Sequence, residues 1–248
     1  MFPILQIGPL AIRLPGLLLV GGLWLAMVLV EREASHREIQ DSLLTNMIFY
    51  ALIAGLIGAR LGHALHYLDA YVQNPLAFIS LNMDALAPLE GIVAAGLAAW
   101  IYAQRKGLAL LPTLDALTPG FSAFAVFVGI AHLSSGDAFG ATTQLPWAIE
   151  LWGAYRHPSQ IYEILAAALI LLLVWRSRRW PMFSGFLFLE WLAATALGRL
   201  ILEAYRGDSA IVLGSLRAAQ LASAVILLVS LWAMHVLARR ATVEEEEA

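Results

Sequence analysis

Arg199 and Glu203 stand one helical turn apart inside the apolar stretch from Gly185 to Ala204, and this pairing is the chain's clearest chemical feature. Charges at membrane depth are expensive and survive where they pair or line a polar cavity. The i,i+4 spacing puts both on one helix face, yet Arg before Glu is the less favourable order for an isolated helix, so simple helix stabilisation explains it poorly. Arginine suits phosphate because its planar fork donates two parallel hydrogen bonds and keeps its charge when partly desolvated. With Arg206 just beyond, this end of the segment suits a phospholipid headgroup. The structural alternative is that Arg60 and Arg206 snorkel to the interface while Arg199 and Glu203 merely pair.

Other polar groups fall within or beside apolar stretches: Arg60, His63, His66, His132, Asp137 and Glu190. His132 is a candidate base, because a neutral imidazole takes a proton near neutral pH; its alternative is to cap a helix end or bond a neighbour. His63 and His66 share a helix face at i,i+3, but no carboxylate motif completes a metal site, so no metal is expected. His157, Pro158, Ser159, Gln160, Ile161, Tyr162 and Glu163 gather hydrogen-bonding groups at a helix start, where free N–H groups favour anions. A plain helix cap is the competing reading.

The elements that must position these groups are membrane spans. Of the 248 residues, 60% are hydrophobic and 13% charged, with a mean hydropathy of +0.76. A span needs about 20 apolar residues, and seven stretches qualify: Leu14–Val30, Leu44–Tyr67, Leu86–Ala103, Leu114–Leu133, Gln160–Trp175, Met182–Ala204 and Ala218–Leu237. The expected fold is therefore an all-α polytopic membrane protein, a single transmembrane domain over 1–248. A first span flanked by Arg13 and by Glu31, Arg32 and Glu33, without a small-residue cleavage pattern, is not read as a removed signal peptide. Basic residues collect on the cytoplasmic side. Arg32, Arg37, Arg105, Lys106, Arg176, Arg178, Arg179, Arg239 and Arg240 fall on one side, and Arg13, Arg156, Arg206 and Arg217 on the other, which puts the amino terminus outside and the carboxyl terminus in the cytoplasm. Arg60 and His63, His132 and Asp137, and Arg199 and Glu203 then share the outer half.

Pro158 is expected to start the fifth span and Pro181 to separate it from the sixth. Residues 134–157 read as a small outer cap whose Trp147 and Trp152 sit at the lipid headgroups. The run Glu244–Glu247 reads as a solvated, disordered tail. A net charge of -3 without a basic block gives no support for nucleic-acid binding. With 0 Cys, disulfides, thiolate metal sites and a cysteine nucleophile are excluded.

These residues resemble the prolipoprotein diacylglyceryl transferases. The segment His157-Pro158-Ser159-Gln160-Ile161-Tyr162-Glu163 is similar to that family's HPSQLYE or HPTQLYE, and Leu145-Pro146-Trp147-Ala148-Ile149 precedes it in a similar position. Ile7 to Ile12, Gly58-Ala59-Arg60-Leu61-Gly62, and Gly198 to Glu203 followed by Tyr205-Arg206 extend the likeness over nearly the whole chain. The resemblance implies transfer of a diacylglyceryl group from phosphatidylglycerol to the thiol of a lipobox cysteine in a preprolipoprotein, releasing glycerol phosphate, with no cofactor, in the bacterial inner membrane. It implies functional roles for Arg199 and Glu203, with Arg199 stabilising phosphate, and sets Asp137 and Gly140 at the end of a signature segment. Catalytic candidates are thus Arg199, Glu203, His132 and Asp137. Lipid-binding candidates are Arg60, His63, Gly140, His157, Ser159, Gln160, Tyr162 and Arg206.

The chain departs from the family pattern at its signature, roughly Gly-Arg-Leu-Gly-Asn-Phe-Ile-Asn-Gly-Glu. Val128 to Asp137 stand there, with Gly129 at the arginine and His132 at the first asparagine. Leu89-Glu90-Gly91 replaces a His-Gly-Gly, and Pro15 a tyrosine. His132, His63 or Glu90 would then have to supply the missing groups. The alternative function is an inactive relative serving as a lipid-binding or membrane-complex assembly subunit with a protein partner. A transporter rests only on the buried polar groups.

Overall fold

The computed structural model describes residues 4–7, 10–79, 85–180, 182–213 and 216–246. Gly8 and Pro9 of the amino-terminal likeness, the separating Pro181, and Glu247 lie outside the described residues. A helix occupies each of the seven apolar stretches: α1 (Leu14–His36), α2 (Asp41–His66), α4 (Pro88–Lys106), α5 (Leu110–Ser135), α6 (Ser159–Ser177), α7 (Phe186–Leu202) and α8 (Ala218–Glu246), with the short α3 (Leu68–Gln73) after α2. Five of these, α1, α2, α5, α6 and α8, are long and apolar enough to cross a membrane. Helix is the expected solution where no water can satisfy the backbone. Helix α8 continues through Glu244–Glu246, so these glutamates extend the helix where a disordered tail was expected.

Among the described residues, three two-stranded antiparallel sheets complete the fold. They are β1 (Ile4–Ile7) with β2 (Leu10–Arg13), β3 (Ile149–Leu151) with β4 (Ala154–Arg156), and β5 (Ile211–Leu213) with β6 (Leu216–Arg217). They add short strands to the all-α expectation, all at helix ends.

The chain forms two compact units, Met1–Glu33 with Leu114–Ala248, and Ala34–Thr113. In the first, α1 and α5 approach closely at a glycine on each: a Cβ at Gly22 would run into the Phe127 side chain, and one at Gly120 would meet the Ala26 carbonyl oxygen at 2.9 Å. Small residues allow this approach, which drives helix association in lipid. Helix α7 packs against both α6 and α8. Its amino-terminal end is held by α5: the buried Asp115 carboxylate accepts the Gly185 N–H at 2.8 Å and the Phe188 N–H at 2.9 Å. Asp115 thus satisfies helix-start donors that α7's own cap residue, Gly185, cannot.

In the second unit, α2 and α4 lie against each other along Gly55, Gly58, Gly62 and Gly91. The buried Arg60 donates from Nε to the Phe78 carbonyl at 3.2 Å and from Nη1 to the Ala85 carbonyl at 2.8 Å, holding both ends of the loop entering α4. Burial corrects the reading of Arg60 as a snorkelling side chain.

Candidate functional site

The ends of α5, α6 and α7 are joined by an extended strap. The Ala141 N–H donates to the Tyr205 carbonyl at 2.8 Å, the Gly207 N–H to the Phe139 carbonyl at 2.8 Å, and the His157 N–H to the Ala141 carbonyl at 3.0 Å. Bridges pair Gly140 with Arg206 and Thr142 with Arg156. The strap therefore runs between β4 and the segment that follows α7. Gly140 is buried where a Cβ would lie 2.1 Å from the His157 carbonyl oxygen, so only glycine fits there.

The His157–Glu163 segment secures this junction. Pro158 holds the cap position of α6 and no side chain caps the helix, which corrects the plain-cap reading. Ser159 Oγ instead donates to the Ala138 carbonyl at 2.6 Å, and Gln160 Nε2 to the Asp137 carbonyl at 2.9 Å. Both side chains are buried and fix the turn in which Ala138 adopts a φ of 54°. That left-handed conformation is costly for a residue with a Cβ and needs such support. His157 packs its ring on Tyr205 at 5.2 Å between centroids and on Tyr162 at 6.2 Å. Trp147 Nε1 donates to the Tyr162 hydroxyl at 2.8 Å, and Trp152 Nε1 to the Gly136 carbonyl at 3.3 Å, while both indoles remain largely exposed.

Beneath the strap, α5, α6 and α7 form a half-open cavity of about 370 Å³. Its walls are mostly apolar: Phe121, Phe124 and Val128 from α5, Ala166 and Ile170 from α6, Trp191 and Leu202 from α7. Charged groups enter it from one end only, as Glu163, Arg199 and Arg206. This is the shape of a ligand site with few polar groups to fix orientation.

The charged end is built from three linked contacts. Glu163 Oε2 lies 2.9 Å from His132 Nδ1, joining α6 to α5. Arg199 Nε lies 2.8 Å from Glu203 Oε2, yet Oε2 has no directed hydrogen-bond donor, so this ion pair is close in distance without hydrogen-bond alignment. Ser209 Oγ donates to the other carboxylate oxygen of Glu203. Glu203 is 1% exposed and Arg199 is 40% exposed, so the carboxylate is the fixed member and the guanidinium the accessible one. Arg206 holds Asp208 through two bonds, Nε to Oδ1 at 2.9 Å and Nη2 to Oδ2 at 2.7 Å. Burial opposes ionisation of both; the mutual hydrogen bond and attraction outweigh it, holding the Asp208 carboxyl below its ordinary value and the Arg206 guanidinium above.

Among the candidates named from sequence, Arg199, Arg206, Ser159 and Tyr162 line the cavity, and Glu203 and His132 touch its lining through Arg199 and Glu163. Asp137 exposes its side chain, contributes its backbone to the turn, and is not among the lining residues. Gly140 and His157 belong to the strap. Arg60 and His63 lie in the other unit, where His63 Nδ1 meets the Tyr71 hydroxyl at 3.0 Å and His66 Nε2 meets Glu90 Oε1 at 2.7 Å. Sequence reasoning named Glu163 only as a member of the segment opening α6 and did not name Trp191 or Thr195. The available signal was helical spacing, since 191, 195, 198, 199 and 202 recur on one face of α7.

The family described as prolipoprotein diacylglyceryl transferase matches over residues 3–236. A phosphatidylglycerol–prolipoprotein diacylglyceryl transferase of Corynebacterium efficiens is 27% identical, covering 90% of this chain and 77% of the relative. Proteins of the same name from Synechococcus elongatus and Finegoldia magna are each 29% identical, the first covering 90% of this chain and 83% of its own length, the second 86% of both.

Proposed function

The chain belongs to the prolipoprotein diacylglyceryl transferase family, and on that premise we propose that it transfers a diacylglyceryl group from phosphatidylglycerol to the lipobox cysteine thiol of a preprolipoprotein. The observation carrying this reading is an apolar cavity between α5, α6 and α7 whose charged groups gather at one end, with Arg199 accessible there. Acyl chains fill the apolar walls, and the phosphate meets Arg199 and Arg206. The thiol sulfur attacks the glyceryl carbon bearing the phosphate ester; a C–S bond forms, the C–O bond breaks, and its electron pair leaves with glycerol phosphate. Positive charge preset where negative charge develops lowers the barrier. Glu203 fixes Arg199, and the thiol proton passes to the His132–Glu163 pair as a unit, with Glu163 the member on the cavity wall. Thiolate, not thiol, is the nucleophile, so this proton transfer is required.

The proposal extends to seven spans, an outside amino terminus, a cytoplasmic carboxyl terminus and residence in the bacterial inner membrane as one transmembrane domain with its cap at 134–157. The basic residues Arg176 in the last turn of α6 and Arg178 and Arg179 just after it, opposite the end carrying Arg206, support that orientation. Ser159, Gln160, His157 and Gly140 shape the mouth, Tyr162 forms part of its wall, and Asp137 acts through its backbone. Arg60 and His63 serve the second unit's loop and lipid contacts.

One observation favours a second reading, an inactive relative that binds lipid within a membrane complex. At Gly129 an added Cβ would lie 2.8 Å from Ile164 Cγ1 and 3.3 Å from the Ile164 nitrogen, so close α5–α6 packing fills the place where the family pattern has an arginine. The deciding experiment offers purified protein phosphatidylglycerol bilayers and a lipobox-cysteine peptide, and reads the mass of the thioether product. Product that vanishes with Arg199→Ala supports the transferase. Folded protein that binds the lipid without yielding product supports the second reading.

A further inference from the structure

Each guanidinium at the charged end of the cavity already faces a carboxylate of its own. Arg199 has Glu203 at 2.8 Å, and Arg206 has Asp208 through two bonds, at 2.9 and 2.7 Å. Those two bonds fill one edge of the Arg206 fork, from Nε to Nη2, and leave the Nη1 side for a ligand. The pair is partly withdrawn from water, with the Arg206 and Asp208 side chains 14% and 27% exposed. The Arg206 backbone is fixed as well, by its bridge to Gly140 and by Arg217 Nη1, which donates to its carbonyl. Arg206 and Asp208 therefore meet a ligand together, as one neutral unit.

Such a site has donors to offer but little net charge. A phosphodiester carries one negative charge, whereas a phosphomonoester gains a second above about pH 6. The cost of taking an ion out of water rises with the square of its charge and is offset only by a countercharge close by. The charged groups on the surrounding elements supply none for a second negative charge. Glu203 and Glu163 join Asp208 in attracting Arg206. Arg156 donates to the Leu151 and Gly140 carbonyls and Arg217 to that of Arg206, and neither lines the cavity. Asp137 lies outside the lining, His157 packs on Tyr162 and Tyr205, and His132 is paired with Glu163. We propose that Asp208 is a specificity-determining residue that neutralises Arg206, so that the cavity accepts lipids with a monoanionic phosphodiester and excludes those with a dianionic phosphomonoester. This rests on the reading of the cavity as a glycerophospholipid site. It also bears on the direction of the reaction: the diester enters as a monoanion, and glycerol phosphate leaves as a monoester that the same carboxylate repels.

The test titrates dioleoyl phosphatidylglycerol and dioleoyl phosphatidate, separately, into the detergent-solubilised full chain at about pH 5 and about pH 8, either side of the monoester's second ionisation. Native mass spectrometry counts the lipid-bound protein. At the lower pH both lipids are monoanions, so the charge on His132 acts on them alike. Asp208 stays ionised there, because its carboxyl is held below its ordinary value. Wild-type protein should bind phosphatidylglycerol about tenfold more tightly than phosphatidate at the higher pH and about threefold or less at the lower. Asp208→Asn keeps the shape and removes the charge; it should lose most of the preference at the higher pH by binding phosphatidate more tightly, whereas a merely structural role would weaken both lipids. A preference that does not change with pH overturns the proposal, since it reports contacts to the headgroup glycerol. Equal wild-type binding at the higher pH overturns it too, as does a preference that Asp208→Asn retains. Wild-type protein binding neither lipid overturns the cavity reading itself, a different result. Should Asp208→Asn not fold, the wild-type ratios at the two pH values decide.

Discussion

Glu163 at the start of α6 and His132 near the end of α5 meet at 2.9 Å, and their meeting depends on the packing of Gly129 one turn below His132. With no side chain at 129, the α6 backbone at Ile164 comes into contact with α5. The glycine at 129 therefore lets an imidazole reach a carboxylate on the cavity wall.

If the pair takes up the thiol proton as one unit, His132→Gln and Glu163→Gln should each lower transfer by about 10²-fold or more. The double variant should be little worse than the poorer single one, because groups acting together are not additive. Thioether formation at saturating lipid measures this.

Arg199→Ala should reduce transfer by about 10²–10³-fold, the scale of losing one preset charge donor. Arg199→Lys keeps the charge without the fork and should recover only part of the rate. Lipid titration alongside turnover separates weaker binding from a slower step.

Asp115→Ala removes the acceptor of the Gly185 and Phe188 N–H groups and should destabilise the protein by about 2 kcal/mol, the upper range for a lost helix cap. The thermal midpoint in detergent reports it, and Asp115→Asn should retain part of the stability.

Gly140→Ala would force a Cβ to 2.1 Å from the His157 carbonyl oxygen and should prevent the strap from closing, with large losses of thermal stability. Gly96→Ala, in α4 with nothing within 4 Å, should be neutral or slightly stabilising. Comparing their unfolding midpoints isolates the close approach from a general intolerance of alanine.

The Arg206–Asp208 pair gives a pH dependence of definite sign. The Asp208 carboxyl is held below its ordinary value in the fold, so its contribution is fully present above the ordinary value near about 3.9 and is lost as pH falls through the lower folded value. Acid titration of the unfolding midpoint should show this loss, and Asp208→Asn should flatten that part of the curve. Asp208 is partly exposed, so the effect should be small and reduced further by salt.

The sequence by itself determined where helices form and which family the chain resembles, because apolar runs and short motifs are local properties of the chain. Its stretches coincide with the seven long helices, and Arg199, Glu203 and Arg206 are grouped as their spacing requires. Only the tertiary structure decided what those groups face. Ser159 and Gln160 look like anion ligands at a helix start, yet they hold the Asp137–Ala138 turn, since their partners lie more than 20 residues away in the chain. Arg60 looks like a snorkelling cation and is a buried clamp on two carbonyls. Trp191 carried no signal in sequence, because an indole in an apolar helix reads as packing until folding places its ring on a cavity wall. Hydropathy sums over neighbours along the chain, whereas a hydrogen bond depends on direction and on an atom brought near by folding, and it is this second kind of information that assigns the cavity its chemistry.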